Sequence, residues 1–248
     1  MELPRAFLVR ESSHRIINPL TPEKLATLGE ALHLRPGTRL LDLACGKGEL
    51  LCIWARDHGV TGVGVDISQT FVAAARARAA ELGVSDRVEF GNADAAGYVA
   101  GEPVDVAACV GATWIGGGTA GTIGLLERSL CPGGTVLVGE CYWRLDPPDR
   151  ATVEGCYVRD EDELGSLPEL VESVRDLGWD LVEMVLADQD GWDRYAAAQW
   201  LNVRRWIDAN PDDELVGEMR AELDAAPLRH VRYQREYLGW GVFALTRR

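Results

Sequence analysis

The chain has too little positive charge to suggest a nucleic-acid partner. Its 248 residues include 25 Lys and Arg against 39 Asp and Glu, which gives a formal net charge of −14. Lys24 and Lys47 are the lysines of the sequence, and they stand apart from each other. Binding to nucleic acid needs clustered cations that displace counterions from phosphate. We therefore expect no nucleic-acid partner.

Long apolar runs are also missing. A helix that crosses a bilayer needs about 20 consecutive apolar residues, and the sequence has no run of that length. The opening sequence MELPRAFLVRESSHRI lacks the basic segment followed by an apolar core that marks a secretory signal. We therefore expect a cytoplasmic protein with no membrane association.

The cysteines form neither a metal-binding pattern nor a disulfide pattern. They stand at positions 45, 52, 109, 131, 141 and 156, without a CxxC pair or a short Cys/His cluster. Such spacing favours free thiols in a reducing compartment. An acidic run at 160–163 is typical of a solvated loop or a helix start. We therefore predict no metal site; thiol chemistry or soft-metal binding at Cys45, Cys141 or Cys156 is the alternative.

Apolar runs typical of buried strands alternate with helical segments along the chain. Thr21 and Ser68 are suited to cap the helices that follow them. This alternation predicts an α/β fold with a parallel sheet covered by helices on both faces. A long helical segment at 190–237 interrupts the alternation before the last strand. The predicted strands are 39–43, 62–66, 87–90, 103–110, 134–139, 179–186 and 239–245.

The most informative stretch is a strand that leads into a glycine loop. Gly46 and Gly48 lie in this loop, and the next strand ends at Asp66. Glycine lets the backbone approach a ligand closely, and a carboxylate at the end of a strand can accept hydrogen bonds from a ribose diol. The stretch therefore predicts a site for a nucleoside cofactor at the carboxyl edge of the sheet.

The glycine pattern separates two candidate cofactors. A dinucleotide loop follows G-x-G-x-x-G, in which the third glycine permits close helix packing. Leu51 stands where that third glycine would be. Asp42, just before the loop, favours a cationic ligand, and S-adenosylmethionine carries a sulfonium and an ammonium group. A nicotinamide-dependent oxidoreductase is the alternative that these residues leave open.

Several segments in order resemble motifs of the class I S-adenosylmethionine-dependent methyltransferases. They lie within 38–140, and Ala44 replaces the commonest first glycine of the loop in that family. The pieces AACVGATWIGG and VLADQDGWDRYAAAQW extend the resemblance over nearly the whole chain, to a bacterial subgroup of small-molecule type. The segments are LDLACGKGE, GVDIS, GNADA, VDVAACVGATW and LCPGGTVLVGE.

The resemblance implies a Rossmann-like α/β fold in a single methyltransferase domain. We expect a seven-stranded, mostly parallel sheet with an antiparallel last strand, helices on both faces and a helical cap insertion. The expected parts are an N-terminal cap segment and helix at 1–37, a cofactor-binding core at 38–140, the remaining core at 141–189, the cap insertion at 190–237 and the last strand at 238–248.

The resemblance also implies roles toward S-adenosylmethionine. Asp66 would receive both ribose hydroxyls and Ile67 would pack on the adenine. The alternatives are a helix N-cap or surface acid for Asp66 and a simple turn acid for Asp94. The predicted cofactor-binding residues are Asp42, Ala44, Cys45, Gly46, Gly48, Asp66, Ile67, Asn92, Asp94, Ala95, Cys109 and Gly111.

The implied reaction is an in-line displacement at the methyl carbon of a sulfonium. Holding the reactants in line supplies much of the catalysis, about 7–11 kcal/mol, and a general base adds about 10²–10⁴-fold. His14 and Glu140 are the candidate catalytic residues, with ordinary packing and salt bridging as their alternatives. The candidate acceptor contacts are Trp114, Tyr142, Trp143 and Trp192, with core packing as the alternative.

The predicted function is therefore methyl transfer from S-adenosylmethionine to a small-molecule acceptor. The other interpretation is a protein that binds S-adenosylmethionine and has lost the transfer. Methylation of nucleic acid or protein is less favoured, because the chain lacks basic tracks and an N-P-P-Y-type tetrapeptide.

Overall fold

The structure is a computed structural model and describes residues 3–248. Within these residues, seven strands alternate with helices. The strands are β1 (Arg39–Leu43), β2 (Thr61–Asp66), β3 (Val88–Asn92), β4 (Val104–Val110), β5 (Leu130–Trp143), β6 (Trp179–Leu186) and β7 (Leu238–Arg247). The helices are α1 (Arg5–Arg10), α2 (Pro22–Ala31), α3 (Glu49–His58), α4 (Gln69–Glu81), α5 (Thr119–Glu127), α6 (Arg150–Gly155), α7 (Leu167–Asp176), α8 (Gln189–Ala209), α9 (Val216–Arg229) and α10 (Arg235–Tyr237). Three 3₁₀ turns cover Ala95–Gly97, Thr113–Gly116 and Glu161–Glu163, and a π-turn covers His230–Gln234.

The strands form one seven-stranded sheet in the order β3-β2-β1-β4-β5-β7-β6. Strands β1 to β5 pair in parallel. Strand β7 runs antiparallel between β5 and β6. The predicted mostly parallel sheet with an antiparallel last strand is therefore confirmed. The order reverses between β1 and β4, where open α/β sheets hold ligands at the carboxyl ends of their strands.

Side-chain caps fix where two of the helices begin. The Thr21 hydroxyl accepts a hydrogen bond from the Lys24 amide at 3.3 Å, ahead of α2. The Ser68 hydroxyl accepts from the Phe71 amide at 3.3 Å, ahead of α4. Both predicted caps are confirmed. Because Ser68 caps α4, the chain turns directly from the end of β2 into this helix.

Strand β5 is longer than the sequence predicts. The predicted strand 134–139 extends to Trp143 because β7 pairs with it that far. Glu140, Tyr142 and Trp143 therefore lie inside the strand, and their expected place in the turn after it is wrong. Their side chains are committed to the faces of the sheet, where neighbouring elements cover them.

Helices connect β6 to β7, as expected for a cap. The 21-residue helix α8 is followed by α9, the π-turn and α10. Helix α1 packs on α8, and the Asn202 side chain donates to the Arg10 carbonyl at 2.7 Å. Helices α1 and α6 are absent from the predicted elements, because six residues are too few for a helical period to show.

Buried clusters cover both faces of the sheet. One cluster includes Leu28 and Trp54, whose indole donates to the Leu25 carbonyl at 3.1 Å. The other includes Leu126 of α5 and Phe243 of β7. These layers fix the strands whose ends carry the site. Separately, no helix within residues 3–248 combines the length and the apolar character needed to cross a bilayer.

Candidate active site

A cavity of about 580 Å³ opens at the carboxyl edge of the sheet. Residues at or just beyond the ends of β1, β2 and β4, and in the turn after β3, form one side of it. The other side is formed by the N-terminal segment (residues 3–20), the 3₁₀ turn Thr113–Gly116 and Tyr195 of α8. The cavity has the size of a small-molecule site and lies at the edge predicted for the cofactor.

The glycine loop bends sharply between β1 and α3. Ala44, Gly46 and Gly48 have φ angles of +56°, +53° and +70°, a region that favours glycine. A Cβ on Gly48 would lie 2.6 Å from the Phe90 ring and 2.8 Å from the Ala75 side chain. Only glycine therefore lets α3 start this close to α4 and β3. Ala44 adopts the same type of backbone conformation with a side chain.

Asp66 ends β2 and holds the glycine loop. One carboxylate oxygen accepts from the Gly46 amide at 2.9 Å and the other from the Ser68 amide at 2.8 Å. Helix α4 is capped by Ser68, so the alternative role of Asp66 as a helix N-cap does not apply. Each carboxylate oxygen has two acceptor positions, so this arrangement is compatible with hydrogen bonds from a ribose diol.

Asp42 lies beside Asp66 in the wall of the cavity and is only 3% exposed. Burial raises the pKa of the Asp42 carboxyl to about 8, and the negative charge of Asp66 adds to this effect. A positive ligand would favour the ionised form of Asp42. The pair is therefore compatible with a cationic ligand, and the role of Asp42 toward the cofactor stays a prediction.

The turn after β3 supports the part of the cavity expected to hold adenine. The Asn92 side chain donates to the carbonyls of Asp66 at 3.0 Å and of Ile67 at 2.8 Å. Asp94 accepts from the Ala96 amide at 2.9 Å and caps the short turn that follows. Asp94 lines the cavity as well as capping this turn, so both of its proposed roles fit the geometry.

The structure brings nine of the predicted cofactor-binding residues to the cavity. Gly48, Asn92 and Cys109 do not line the cavity. Asn92 is exposed, whereas Cys109 is fully buried in the core, because side chains alternate along β4 and Val110 faces the cavity. The nine lining residues are Asp42, Ala44, Cys45, Gly46, Asp66, Ile67, Asp94, Ala95 and Gly111.

Lys47 attaches the N-terminal segment to the glycine loop. Its ammonium group donates to the carbonyls of Glu11 at 2.6 Å, Ser12 at 3.2 Å and His14 at 2.8 Å. A Cβ on Gly46 would lie 3.1 Å from the Ile17 side chain, so the segment rests on the loop. The N-terminal segment therefore covers the cavity, and His14 is the predicted site residue that it contains.

His14 belongs to a buried polar cluster behind the cavity. Its Nδ1 lies 3.1 Å from the Glu11 carboxylate, and its ring centre lies 4.5 Å from that of Tyr195. The Glu11 carboxylate accepts from the Tyr195 hydroxyl at 3.1 Å and from the Gln199 amide at 2.7 Å. Tyr195 reaches the cavity wall, whereas His14 does not. Burial and the Glu11 carboxylate raise the Tyr195 pKa well above its usual value.

Glu140 does not reach the cavity. Its carboxylate accepts hydrogen bonds from the hydroxyls of Thr113 and Thr119, the latter at 3.0 Å, and from the Cys141 amide at 2.8 Å. These bonds tie β5 to the 3₁₀ turn after β4. That turn carries Trp114, which lines the cavity and is 75% exposed. Glu140 thus supports the position of a predicted acceptor contact.

The other predicted acceptor contacts are buried or partly buried away from the cavity. Tyr142 is buried against the backbone of Gly239 in β7, and the Trp143 indole donates to the Glu161 carbonyl at 3.0 Å. Trp192 packs between two buried clusters. The structure does not bring these three side chains to the cavity, because β5 continues through Trp143 and α8 turns Trp192 toward the sheet.

The cysteines remain buried or half-buried free thiols. Burial raises the pKa of Cys45 well above its usual value and the pKa of Cys141 and of Cys156 to about 12. These groups are therefore neutral thiols and weak nucleophiles. Among residues 3–248, no three His, Cys, Asp or Glu side chains gather as metal ligands would.

The chain is similar to known methyltransferases. A family described as a methyltransferase domain matches residues 34–205. YjhP of Escherichia coli strain K12 is 59% identical over 248 residues, which cover 100% of each chain. A crystal structure of a methyltransferase from Geobacter sulfurreducens, in complex with S-adenosyl-L-homocysteine, is 62% identical, has a TM-score of 0.98 and covers 100% of this chain and 99% of its own. A second such complex, from Thiobacillus denitrificans, is 58% identical, has a TM-score of 0.98 and covers 100% of each chain.

These similarities agree with the fold and with the position of the cavity. The family match spans more than half of the chain, and both crystal structures superpose on it from end to end. The predicted family is therefore confirmed, and the nicotinamide-dependent alternative receives no support. The chain belongs to the class I S-adenosylmethionine-dependent methyltransferases.

Proposed function

We propose that the chain binds S-adenosylmethionine in this cavity and transfers its methyl group to a small-molecule acceptor. The observation that carries the proposal is the convergence of two buried carboxyl groups, those of Asp42 and Asp66, with the glycine loop in one cavity. The crystallised relatives support it, because both hold S-adenosyl-L-homocysteine, the demethylated form of this donor.

The residues of the cavity fit the donor chemically. Asp66 is fixed by two backbone amides and presents a carboxylate suited to the ribose diol. Asp42 supplies a second carboxyl group that a cationic ligand would hold in its ionised form. Ile67 gives an apolar surface for the adenine, and Asp94 also lines the cavity. We propose that these four residues position the donor.

When bound, S-adenosylmethionine supplies an electrophilic methyl group. The acceptor forms a bond to the methyl carbon as the carbon–sulfur bond breaks and its electron pair returns to sulfur. The acceptor also releases a proton. The chain contributes position and shielding from water. The N-terminal segment rests on the glycine loop through Ile17 and is held there by Lys47. Such fixed geometry is worth about 7–11 kcal/mol of the barrier in well-oriented reactions.

Two predicted catalytic residues have different places in this proposal. His14 stays a candidate for proton transfer, since it lies in the buried cluster that contains Tyr195. Glu140 is better explained as a support for the turn that carries Trp114, because its carboxylate is held by three donors of the protein. Trp114 remains the proposed contact for the acceptor.

The donor site is tested by calorimetry with S-adenosylmethionine and S-adenosylhomocysteine. We expect Asp66→Ala to weaken both affinities by at least about tenfold, because a hydrogen bond to a charged group is worth about 1.5–3 kcal/mol. Asp86→Ala, which changes an exposed acid that does not line the cavity, is the matched control. Unchanged affinity in Asp66→Ala would remove this residue from the ribose role.

Transfer itself is tested with donor that carries an isotopic label in its methyl group. We expect label to appear in a small-molecule product when a metabolite library is supplied. Binding of the donor without transfer across a broad library would favour the binding-only interpretation. A cytoplasmic location and the absence of a nucleic-acid partner stay predictions from the sequence.

A further inference from the structure

The Asp42 carboxyl opens into the cavity without a hydrogen-bond partner. The residue lines the cavity and is only 3% exposed. Among residues 3–248, no group donates a hydrogen bond to its carboxyl oxygens. These oxygens are nevertheless not sealed inside the protein, so the small surface that they keep faces the cavity. A carboxylate in such a place costs free energy, and the group keeps a proton until a ligand compensates its charge.

Asp66 opposes the ionisation of Asp42. Asp42 pairs with Gly64 in the register of β1 and β2, and Asp66 follows two residues later on the same face of the sheet. Both carboxylate oxygens of Asp66 accept backbone amides, which stabilises its ionised form. Neighbouring carboxylates repel, so one member of such a pair keeps its proton. That member is Asp42, whose pKa is raised to about 8 by burial and by Asp66.

The other acids and thiols near Asp42 do not compensate its charge. Glu49 and Asp94 also line the cavity, and each accepts a hydrogen bond from the protein. Three thiols lie within electrostatic range of Asp42, those of Cys45, Cys52 and Cys109. Burial raises the pKa of each thiol above its usual value, so all three are neutral near neutral pH.

The cations that line the cavity are engaged with other groups. Lys47 donates to three backbone carbonyls of the N-terminal segment. The half-exposed Arg15 guanidinium lies 3.3 Å from the Glu81 carboxylate of α4. Of the charges described in residues 3–248, the one that acts on Asp42 is the negative charge of Asp66. A compensating positive charge is therefore left for a ligand to supply.

We propose that S-adenosylmethionine displaces a proton from Asp42 when it binds, so that the donor itself creates the charge that holds it. The O–H bond of the carboxyl breaks, its electron pair stays on the oxygen, and the proton leaves to water. The positive charge of the methionine part of the donor then compensates the new carboxylate. This exchange rests on the donor binding proposed above, to which it adds a dependence on pH.

The sign of the pH dependence follows from the exchange. The chain with donor holds one proton fewer than the free chain, so binding strengthens as the pH rises. Affinity should rise by up to about tenfold per pH unit below the Asp42 pKa of about 8, until Asp42 is protonated in the bound form as well. A ligand without positive charge gains nothing from the exchange. The site thereby favours a cationic donor over a neutral nucleoside.

Proton release is measured by titration calorimetry in buffers of different ionisation enthalpy. At about pH 6.5 we expect about one proton released per S-adenosylmethionine bound, since free Asp42 is almost fully protonated there and the amino group of the donor is already charged. 5′-Methylthioadenosine keeps the adenosine and a neutral thioether but has neither cation, and it should release almost none. No release with S-adenosylmethionine, or equal release with both ligands, would overturn the proposal.

Asp42→Asn tests whether the proton comes from this residue, because asparagine has the shape of the neutral acid and does not titrate. We expect the variant to bind S-adenosylmethionine without proton release, and its affinity to stay constant between about pH 6 and about pH 7. His14→Gln is the matched control, because histidine titrates in this range and His14 lies in the polar cluster behind the cavity. Release that persists in Asp42→Asn, or that disappears in His14→Gln instead, would contradict the assignment.

These measurements separate the proton release from the proposed function. If S-adenosylmethionine does not bind to the unaltered chain, the proposed function fails. If it binds and its methyl group is transferred, but no proton is released on binding, the proposed function stands and only the role of Asp42 in proton release fails.

Discussion

Asp42 occupies an environment that strongly favours its neutral form. It is buried next to a second carboxylate in the wall of the cavity, which raises its pKa to about 8. An unfolded aspartate has a pKa near 4, so the native chain keeps a proton that the unfolded chain releases between these values. Folding without a ligand is therefore coupled to proton uptake at this residue.

This coupling predicts how stability depends on pH. The free energy of unfolding of the unliganded chain should fall as the pH rises from about 4 to about 8, by up to about 1.4 kcal/mol per pH unit from Asp42. Asp42→Asn should remove this contribution and be more stable than the unaltered chain near pH 8. Urea denaturation at several pH values measures both. Asp86→Asn is the control, and parallel pH profiles for Asp42→Asn and the unaltered chain would contradict the prediction.

Single residues were predictable where a local pattern carries the information. Asp66 and the glycine loop follow from adjacent residues in the sequence, and the structure brings them to one cavity. The cluster of Glu11 with Tyr195 does not follow from such a pattern, because 184 positions separate the two residues. Glu11 follows a short helix, and its spacing from neighbouring residues does not mark it as buried. Its contact with Tyr195 becomes visible only in the structure, where α1 packs on α8.

At the scale of elements, the contact between the glycine loop, α4 and β3 limits what the loop can contain. Gly48 and Gly83 have nearly the same φ, +70° and +67°. A Cβ on Gly83 would meet no heavy atom within 4 Å, whereas one on Gly48 would lie 2.6 Å from Phe90. The stability losses caused by Ala at the two glycines therefore separate the cost of backbone strain from the cost of steric overlap.

We predict that Gly83→Ala costs about 1–2 kcal/mol of stability, from the left-handed backbone alone. Gly48→Ala should cost about 1–3 kcal/mol more, because Phe90 or α4 must move. It should also weaken S-adenosylhomocysteine, since the displaced loop lines the cavity. Urea denaturation and calorimetry provide the measurements. Equal stability losses for the two variants would show that Gly48 is required only for its backbone angle.

Elements were predictable as far as their own residues define them. Alternating apolar runs located all seven strands, and hydroxyl caps located the starts of α2 and α4. The extension of β5 to Trp143 depends on its pairing with β7, about a hundred residues further along the chain. The residues around β5 in the sequence give no sign of its pairing with β7. Tyr142 and Trp143 were therefore expected at the site, although they belong to the core.

At the scale of the whole molecule, three separate parts of the chain meet at the turn that contains Glu11 and His14. The glycine loop contributes Lys47, the helical cap contributes Tyr195, and the turn itself belongs to the N-terminal segment. The glycine loop, the N-terminal segment and the helical cap therefore share one set of buried polar contacts.

We predict that Lys47→Met loosens the N-terminal segment, because three carbonyls lose their charged donor. Amides of residues 5–14 should exchange with solvent at least about tenfold faster in native-state hydrogen exchange. Lys24→Met is the matched control, since Lys24 donates to the Leu186 carbonyl at 2.6 Å away from this turn. Unchanged exchange in Lys47→Met, or the same acceleration in Lys24→Met, would show that Lys47 does not hold the segment.

The position of β7 has a consequence for the order in which the protein assembles. Its pairing with β5 closes a long stretch of chain, and such closure is entropically costly and slows folding. Strands β1 to β4 are nearer to one another along the sequence, and their ends carry Asp42 and Asp66. We therefore expect the half that holds the nucleoside to form early. The half that carries β5, β7 and the helical cap would be the last part of the molecule to fold.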